Sequence, residues 1–398
     1  MISTFLDHAR ARADHLIELR RDFHQHPELA YQETRTSGIV AQELERLGFR
    51  VRRGIARTGV VAELGEGDDP MVALRADMDA LPLQEATGHP WASTVPGVMH
   101  ACGHDAHTAI LLGAAELLAE AAERGDLPRG RLRLLFQPSE EGMDKEGKSG
   151  AFRMLEEGAM EGVAAIAGLH VGAHLPLGRI VLGEGPFFAG SDEIYVTVHG
   201  RSSHAARPHQ GVDALVLAAQ GVVAAQQVVA RRVAPWERGV LTFGTIHGGR
   251  ALNAVADRVE LTGTLRYFEP EVRKRIVDGI HASFAHVEAA GGRVEIRIQE
   301  GYPPLVNDPA LTRQVKPVLA EAVGSDGFLD PGHVMEAEDF AYFAREAPGV
   351  FFWLGAGLPD LREHHHPEFD IDEAVLPLGA ALLAATARTL LQQTHEER

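Results

Sequence analysis

Apolar positions recur at helical spacing from the start of the chain. Leu6, Leu16, Ile17, Leu19 and Phe23 predict one helix that ends before Pro27. Ile39, Val40, Leu44 and Leu47 predict a second over 34–47, with Gly48 as its C′ residue. Short apolar runs between polar turns then predict strands over 60–64, 71–75, 132–136 and 164–171. A helix over 108–123 and a shorter one over 150–158 separate the later strands.

Around Gly183 the pattern changes. A strand (193–200), a helix (213–229), two strands (239–246 and 258–268), a helix (269–290) and a strand (294–299) follow. Ile194, Val196 and Val198 alternate with Tyr195, Thr197 and His199, as in a sheet covered on one face. This βαββαβ order predicts a two-layer ferredoxin-like α+β domain over 184–299, inserted into an α/β domain made of 1–183 and 300–398. A helix over 309–323, a strand over 350–354 and a helix over 372–391 complete the first domain.

A length of 398 residues favours two cores over one. Apolar content of 45% with 24% charged residues is that of a globular protein. The net charge of −18 argues against nucleic acid or an anionic membrane as partner. The first residues lack a basic region and an apolar run, so no signal peptide is expected, and no unbroken apolar run of spanning length is found. A single cysteine points to the cytoplasm.

The chemistry concentrates in His100-Ala101-Cys102-Gly103-His104-Asp105-Ala106-His107, which holds the only cysteine and three histidines. Thiolate and imidazole suit zinc and other borderline metals; the plainer alternative is a buried thiol beside solvated histidines. Asp77 and Asp79 follow a strand, where ligands gather in open α/β sheets. They read either as loop caps or as carboxylates that orient a ligand histidine. Glu140-Glu141 follows the next strand. Adjacent carboxylates repel, and a metal gives the pair a reason: one coordinates while the other takes a proton from water. Otherwise they form an acidic turn. His170, at the expected end of its strand, reads as core or ligand. The inserted domain adds Gly200 to His209, Leu252-Asn253-Ala254 and Gly263-Thr264-Leu265-Arg266. Later come the acidic pair Glu338-Asp339 and the run His364-His365-His366-Pro367.

Together these motifs resemble a co-catalytic metallopeptidase superfamily that contains aminoacylases and glutamate-releasing zinc carboxypeptidases. The run from Arg21 to Leu29, Arg75 to Pro82, His100 to His107, Gln137 to Gly142 and Gly168 to Val171 carries the resemblance, continued by Gly200 to Pro208, Leu252 to Val255, Glu338 to Ala341 and His365 to Pro367. Cys102 in place of an aspartate resembles the amidohydrolase branch of hippurate and indole-acetyl-amino-acid hydrolases. The resemblance implies a zinc-peptidase-type three-layer α/β catalytic domain with an inserted lid or dimerisation domain. It implies one or two divalent metals (Zn, Mn, Co or Ni) on Cys102, His104, Glu141, His170 and His365, the last chosen from its run as the histidine two before Pro367. Glu140 becomes general base and then acid. The resemblance further implies that His204 polarises the substrate carbonyl or holds the oxyanion, reaching the active site of the other subunit of a homodimer, and that Asn253 and Arg266 meet the substrate carboxylate. The charged segment Met143 to Lys148 departs from the glycine-rich stretch expected there.

The implied reaction is hydrolysis of an N-acyl-amino acid, a small molecule, to a carboxylate and a free amino acid. Three rivals stand beside it: a dipeptidase or carboxypeptidase using the same site, a hydrolase with Cys102 as nucleophile and His104 or His107 as base, and a binding protein that kept the metal without turnover.

Overall fold

A computed structural model describes residues 2–67, 69–330, 332 and 334–396. The chain separates into two compact units: Met1–Phe187 with Val306–Gly332 and Asp339–Arg398, and Phe188–Leu305 with His333–Glu338.

The first unit is built on one mixed sheet. Its strand order is Arg50–Ile55, Gly59–Leu64, Arg131–Gln137, Met71–Asp77, Val163–Pro176, Gly349–Gly357, Ile180–Val181 and Phe328–Leu329. The central four run parallel and are flanked on each side by an antiparallel pairing, and the edge strand Phe328–Leu329 runs parallel to Ile180–Val181. Alternation along the strands makes two apolar faces. Val72, Leu74, Leu132, Leu134, Ala167 and Phe352 face a layer containing helices His104–Glu123 and Val375–Glu396. Helices Gly150–Glu156 and Phe340–Glu346 pack on the sheet as well, and Phe340 meets Phe351, the strand neighbour of Phe352, at 4.8 Å between rings. The result is a three-layer α/β unit.

Two sequence expectations change here. The N-terminal helix is two, Ile2–Arg10 and Ala13–Gln25. The chain turns at Arg12, whose guanidinium pairs with Glu116 at 3.2 Å and with Glu120, and the break lets both Phe5 and Phe23 reach the core. The fourth strand runs six residues beyond His170, to Pro176, because strand Gly349–Gly357 pairs with it as far as Gly357. His170 therefore lies inside a strand. Edge strand Arg50–Ile55 carries no apolar signal in the sequence because half of its residues are arginine and most are exposed.

The second unit has a four-stranded antiparallel sheet in the order Arg293–Glu300, Gly190–His199, Arg258–Tyr267, Gly239–Gly248. That is the ferredoxin-like order 4-1-3-2. Helices Ala214–Arg232 and Pro270–Phe284 bury Leu217, Ala225, Ile276, Ile280 and Phe284 against Ile194, Val196, Val198 and Leu261. The expected helix over 269–290 breaks at Ala285 into two.

Among the described residues, two helices have the length and apolar content of a membrane span, Ala214–Arg232 and the stretch Val375–Gln393. The latter is core, with 78% of its window buried, against 33% for the former.

Candidate metal centre

The centre forms where the parallel strands end. Strand Met71–Asp77 delivers Asp77 and, two residues on, Asp79; strand Arg131–Gln137 leads to Glu140 and Glu141; His170 projects from the longer neighbour. Cys102 sits on the turn entering helix His104–Glu123. That helix starts four residues before the sequence pattern indicates, so His104 is its first residue. Gly103 makes the turn possible. Its φ is +90°, and a Cβ there would sit 2.5 Å from Val171 Cγ2.

The donors converge. Cys102 Sγ lies 3.5 Å from His170 Nε2. Ligand-capable atoms of Cys102, His104 and His170 lie within 4.8 Å of one another, as do those of Cys102, Glu141 and His365, and of His104, Glu140 and Glu141. Cys102, His104 and Glu141 each belong to two of these groups, so the donors form one overlapping cluster. Of the three consecutive histidines, His365 turns to the cluster, with Nε2 2.9 Å from Glu141 Oε1. Its backbone takes φ +58°, and its N–H donates to Ala101 O at 2.8 Å. His364 Nε2 accepts from Ala173 N at 3.1 Å, and His366 Nδ1 from Glu368 N at 3.2 Å.

Asp79 organises three of these groups. Its two carboxylate oxygens accept from Glu140 N and Glu141 N, each at 2.9 Å. His104 Nδ1–H donates to Asp79 O at 2.9 Å, with Asp79 Oδ1 at 3.3 Å. That fixes the His104 tautomer and leaves its buried Nε2 without a hydrogen-bond partner. His170 is held likewise, its Nδ1–H donating to Val171 O at 2.8 Å.

Asp77 has two imidazole neighbours, and its Oδ2 lies 3.7 Å from Nε2 of the predicted ligand His104. It accepts from His107 Nδ1 at 2.6 Å, and His107 Nε2 accepts from Val171 N at 2.9 Å. His107 thus braces the backbone beside His170, a role hidden from sequence because the whole 100–107 run reads as possible ligands. Behind Asp77, buried Arg75 donates to Asp77 Oδ2 at 2.7 Å, Gln137 Oε1 at 2.8 Å and Asp339 Oδ1 at 2.9 Å. Asp339, read as half of an acidic pair, is a structural anchor for this arginine.

Charge in the cluster favours a cation. Burial pushes the Cys102 thiol well above its ordinary range, and the Glu141 and Glu140 carboxylates push it further. Burial opposes charge on His104, yet Asp77, Asp79 and Glu141 carry it up to about 10. Burial, with His107 and His364 nearby, holds His170 neutral, the form that ligates. A thiol raised in this way is a poor nucleophile, which counts against Cys102 as the attacking group. A soft thiolate, imidazoles and carboxylates around an orphaned imidazole nitrogen fit a borderline divalent metal.

Comparison with known proteins agrees. Residues 73–389 match the family model for peptidase family M20/M25/M40. The chain belongs to that family. Among its M20 relatives, the N-acetyl-L-cysteine deacetylase of Bacillus subtilis (strain 168) is 39% identical over 385 residues, covering 96% of this chain and 90% of the relative. IAA-amino acid hydrolase ILR1-like 2 of Arabidopsis thaliana is also 39% identical over 385 residues, covering 96% and 86%. The crystal structure of the Bacillus subtilis YXEP protein, described as a dinuclear metal binding peptidase from the M20 family, superposes with a TM-score of 0.83 at 32% identity, covering 96% and 99%. This M20 chain is a metal-dependent amidohydrolase that takes one or two divalent metals.

The remaining predicted residues of this M20 enzyme lie on its second unit. His204 and Asn253 are exposed neighbours: Ala205 N donates to Asn253 O at 2.9 Å, and His204 bridges to Ala254. Arg266 is half-buried near the far end of strand Arg258–Tyr267, where Nη1 donates to Leu265 O at 3.2 Å and to Thr264 Oγ1. Eight residues of strand, about 26 Å, separate Arg258 from Arg266.

Proposed function

We propose that this amidohydrolase cleaves the amide of N-acyl-amino acids, N-acetyl or aryl-acyl, to a carboxylate and a free amino acid. The observation that carries the reading is the placement of both Glu140 and Glu141 at one cluster of donors. Glu141 pairs with His365 beside Cys102, ligand-capable atoms of both carboxylates and His104 lie within 4.8 Å of one another, and Asp79 holds the backbone N–H of both. Adjacent carboxylates so held leave one to coordinate and the other to take a proton from water. The similarity to a deacetylase of an N-acetyl-amino acid and to a hydrolase of amino-acid conjugates supports the same bond.

In this reading Cys102, His104, Glu141, His170 and His365 hold the cations. A divalent cation there supplies Lewis acidity and brings the pKa of water toward about 7. Glu140 takes the proton from the attacking water and returns it to the leaving amine. His204 donates to the oxyanion, and the Arg266 guanidinium suits a free carboxylate, with Asn253 beside His204 as a further donor. His204 and Asn253 lie at one end of a strand and Arg266 at the other; we propose that His204 serves the active site of the other subunit of a homodimer.

The second unit supports that assembly. Strand Gly239–Gly248 is a sheet edge, with Ile246 53% exposed. Helix Ala214–Arg232 exposes Leu215, Val216 and Val223, and Leu252 is fully exposed.

The test is Glu140→Gln. Loss of a general base lowers kcat by roughly 10²–10⁴-fold, while metal content stays at the wild-type level. Normal turnover by this variant would rule out the mechanism.

A further inference from the structure

Glu33 stands immediately before helix Thr34–Arg46, where a carboxylate ordinarily serves the open backbone N–H groups. Another residue has that task. Glu28 accepts from Arg35 N at 2.9 Å, Thr36 N at 2.8 Å and Thr34 Oγ1 at 3.1 Å. Glu33 turns inward instead and has no exposed surface. Its Oε1 accepts from Ser139 N at 2.8 Å and Tyr31 N at 3.0 Å, and its Oε2 accepts from Thr58 Oγ1 at 2.5 Å.

Ser139 is the residue before Glu140, and its φ is +53°. A non-glycine residue in that region is strained and needs surroundings that hold it. Here Glu33 takes the N–H of Ser139, and Asp79 takes the next two, from Glu140 and Glu141. Three successive backbone donors are thus tied to two buried carboxylates. From the other side, Gly150 N donates to Ser139 O at 2.8 Å, and a Cβ on Gly150 would fall 1.6 Å from Pro138 O. Ser139 Oγ closes the turn on Gly142 O at 3.0 Å. Burial and the charge of Asp79 raise the Glu33 carboxyl to about 7. A hydrophobic residue would carry no such burden, so the carboxylate's presence calls for the bonds it makes.

We propose that Glu33 is a positioning residue for the general base: by holding Ser139 in its left-handed conformation, it sets the direction in which Glu140 leaves the backbone. The proposal rests on the reading of Glu140 as base. It adds a residue of the N-terminal segment, 106 positions away in sequence from the Ser139 amide it binds.

The experiment compares Glu33→Ala, Glu33→Gln and Glu140→Gln in the full-length, metal-loaded enzyme, with kcat, KM and bound metal measured for each. A displaced catalytic group costs on the order of 10–100-fold. Glu33→Ala should lose that much in kcat, with KM within about threefold and metal content unchanged. Glu33→Gln keeps the Oε1 acceptor and should stay within about threefold of wild type. Should Glu33→Ala not fold, Glu33→Asp, which withdraws the acceptor by one methylene, carries the same kcat test. Full kcat in Glu33→Ala beside an inactive Glu140→Gln overturns this proposal alone. Metal and kcat falling together, or Glu33→Gln failing as badly as Glu33→Ala, overturns it too, because the role is then structural. An active Glu140→Gln overturns the base reading and this proposal with it.

Discussion

Asp79→Asn removes one charge from the centre and almost no volume. Asp79 now accepts from two adjacent backbone N–H groups, one on each oxygen, at 2.9 Å. An asparagine offers one carbonyl oxygen and one NH₂. Whichever way it turns, either Glu140 N or Glu141 N faces a donor. A buried donor left without its acceptor costs about 1–3 kcal/mol. Part of this is offset in the folded protein, because Asp79 and buried Glu33 repel. The effect should therefore show more in metal affinity than in folding. Altering a group that orients ligands typically costs 10–100-fold in affinity, or about 1.4–2.7 kcal/mol. Competition against a chromophoric chelator measures this directly, with kcat recorded at saturating metal. Wild-type affinity together with wild-type kcat in Asp79→Asn would refute the claim that Asp79 sets the geometry of Glu140, Glu141 and His104.

Other consequences follow from the same contacts. Gly103→Ala forces a side chain into φ +90° and to 2.5 Å from Val171 Cγ2, so metal binding should fall at least tenfold by the same competition assay, with lower thermal stability. Arg75→Met leaves Asp77 and Asp339 buried without their shared cation and should destabilise by about 3–5 kcal/mol, read from urea unfolding. Burial opposes charge on Glu85, but hydrogen bonds from His24 and Thr87 hold its pKa down to about 2. A depressed carboxyl contributes stability above its unfolded pKa near 4.3 and loses it as pH falls through 4 toward 2. Glu85→Gln should therefore cost stability at pH 7 and flatten the urea midpoint between pH 5 and 2; an unchanged acid profile would contradict the assignment.

Much of this was legible in the chain because strong local signals agreed. Alternation in 194–199 and the βαββαβ order lead to the ferredoxin-like sheet that forms. Strands 71–75 and 132–136 read as mostly apolar runs, broken only by Arg75 and Arg133, because both of their faces are covered. Cys102-Gly103-His104 stood out by composition, and its glycine proves to be the conformational key. Less was visible where side chains act at long range. Arg75, Gln137 and Asp339 form one buried network from three distant segments. Glu33 resembles an ordinary helix-start carboxylate, and only the observation that Glu28 already caps that helix sets it apart. His170 reads as terminal because Gly172, His174 and Pro176 interrupt the apolar run, although the strand continues through them.

A hydrolysis panel on metal-analysed protein tests the central claim most directly. N-acetyl-, N-benzoyl- and indole-acetyl-amino acids stand beside dipeptides, each with and without chelator and with metal restored. The account predicts release of a free amino acid from an acyl class, abolished by chelator and recovered with a divalent metal. Hydrolysis indifferent to chelator, or confined to dipeptides, would contradict it.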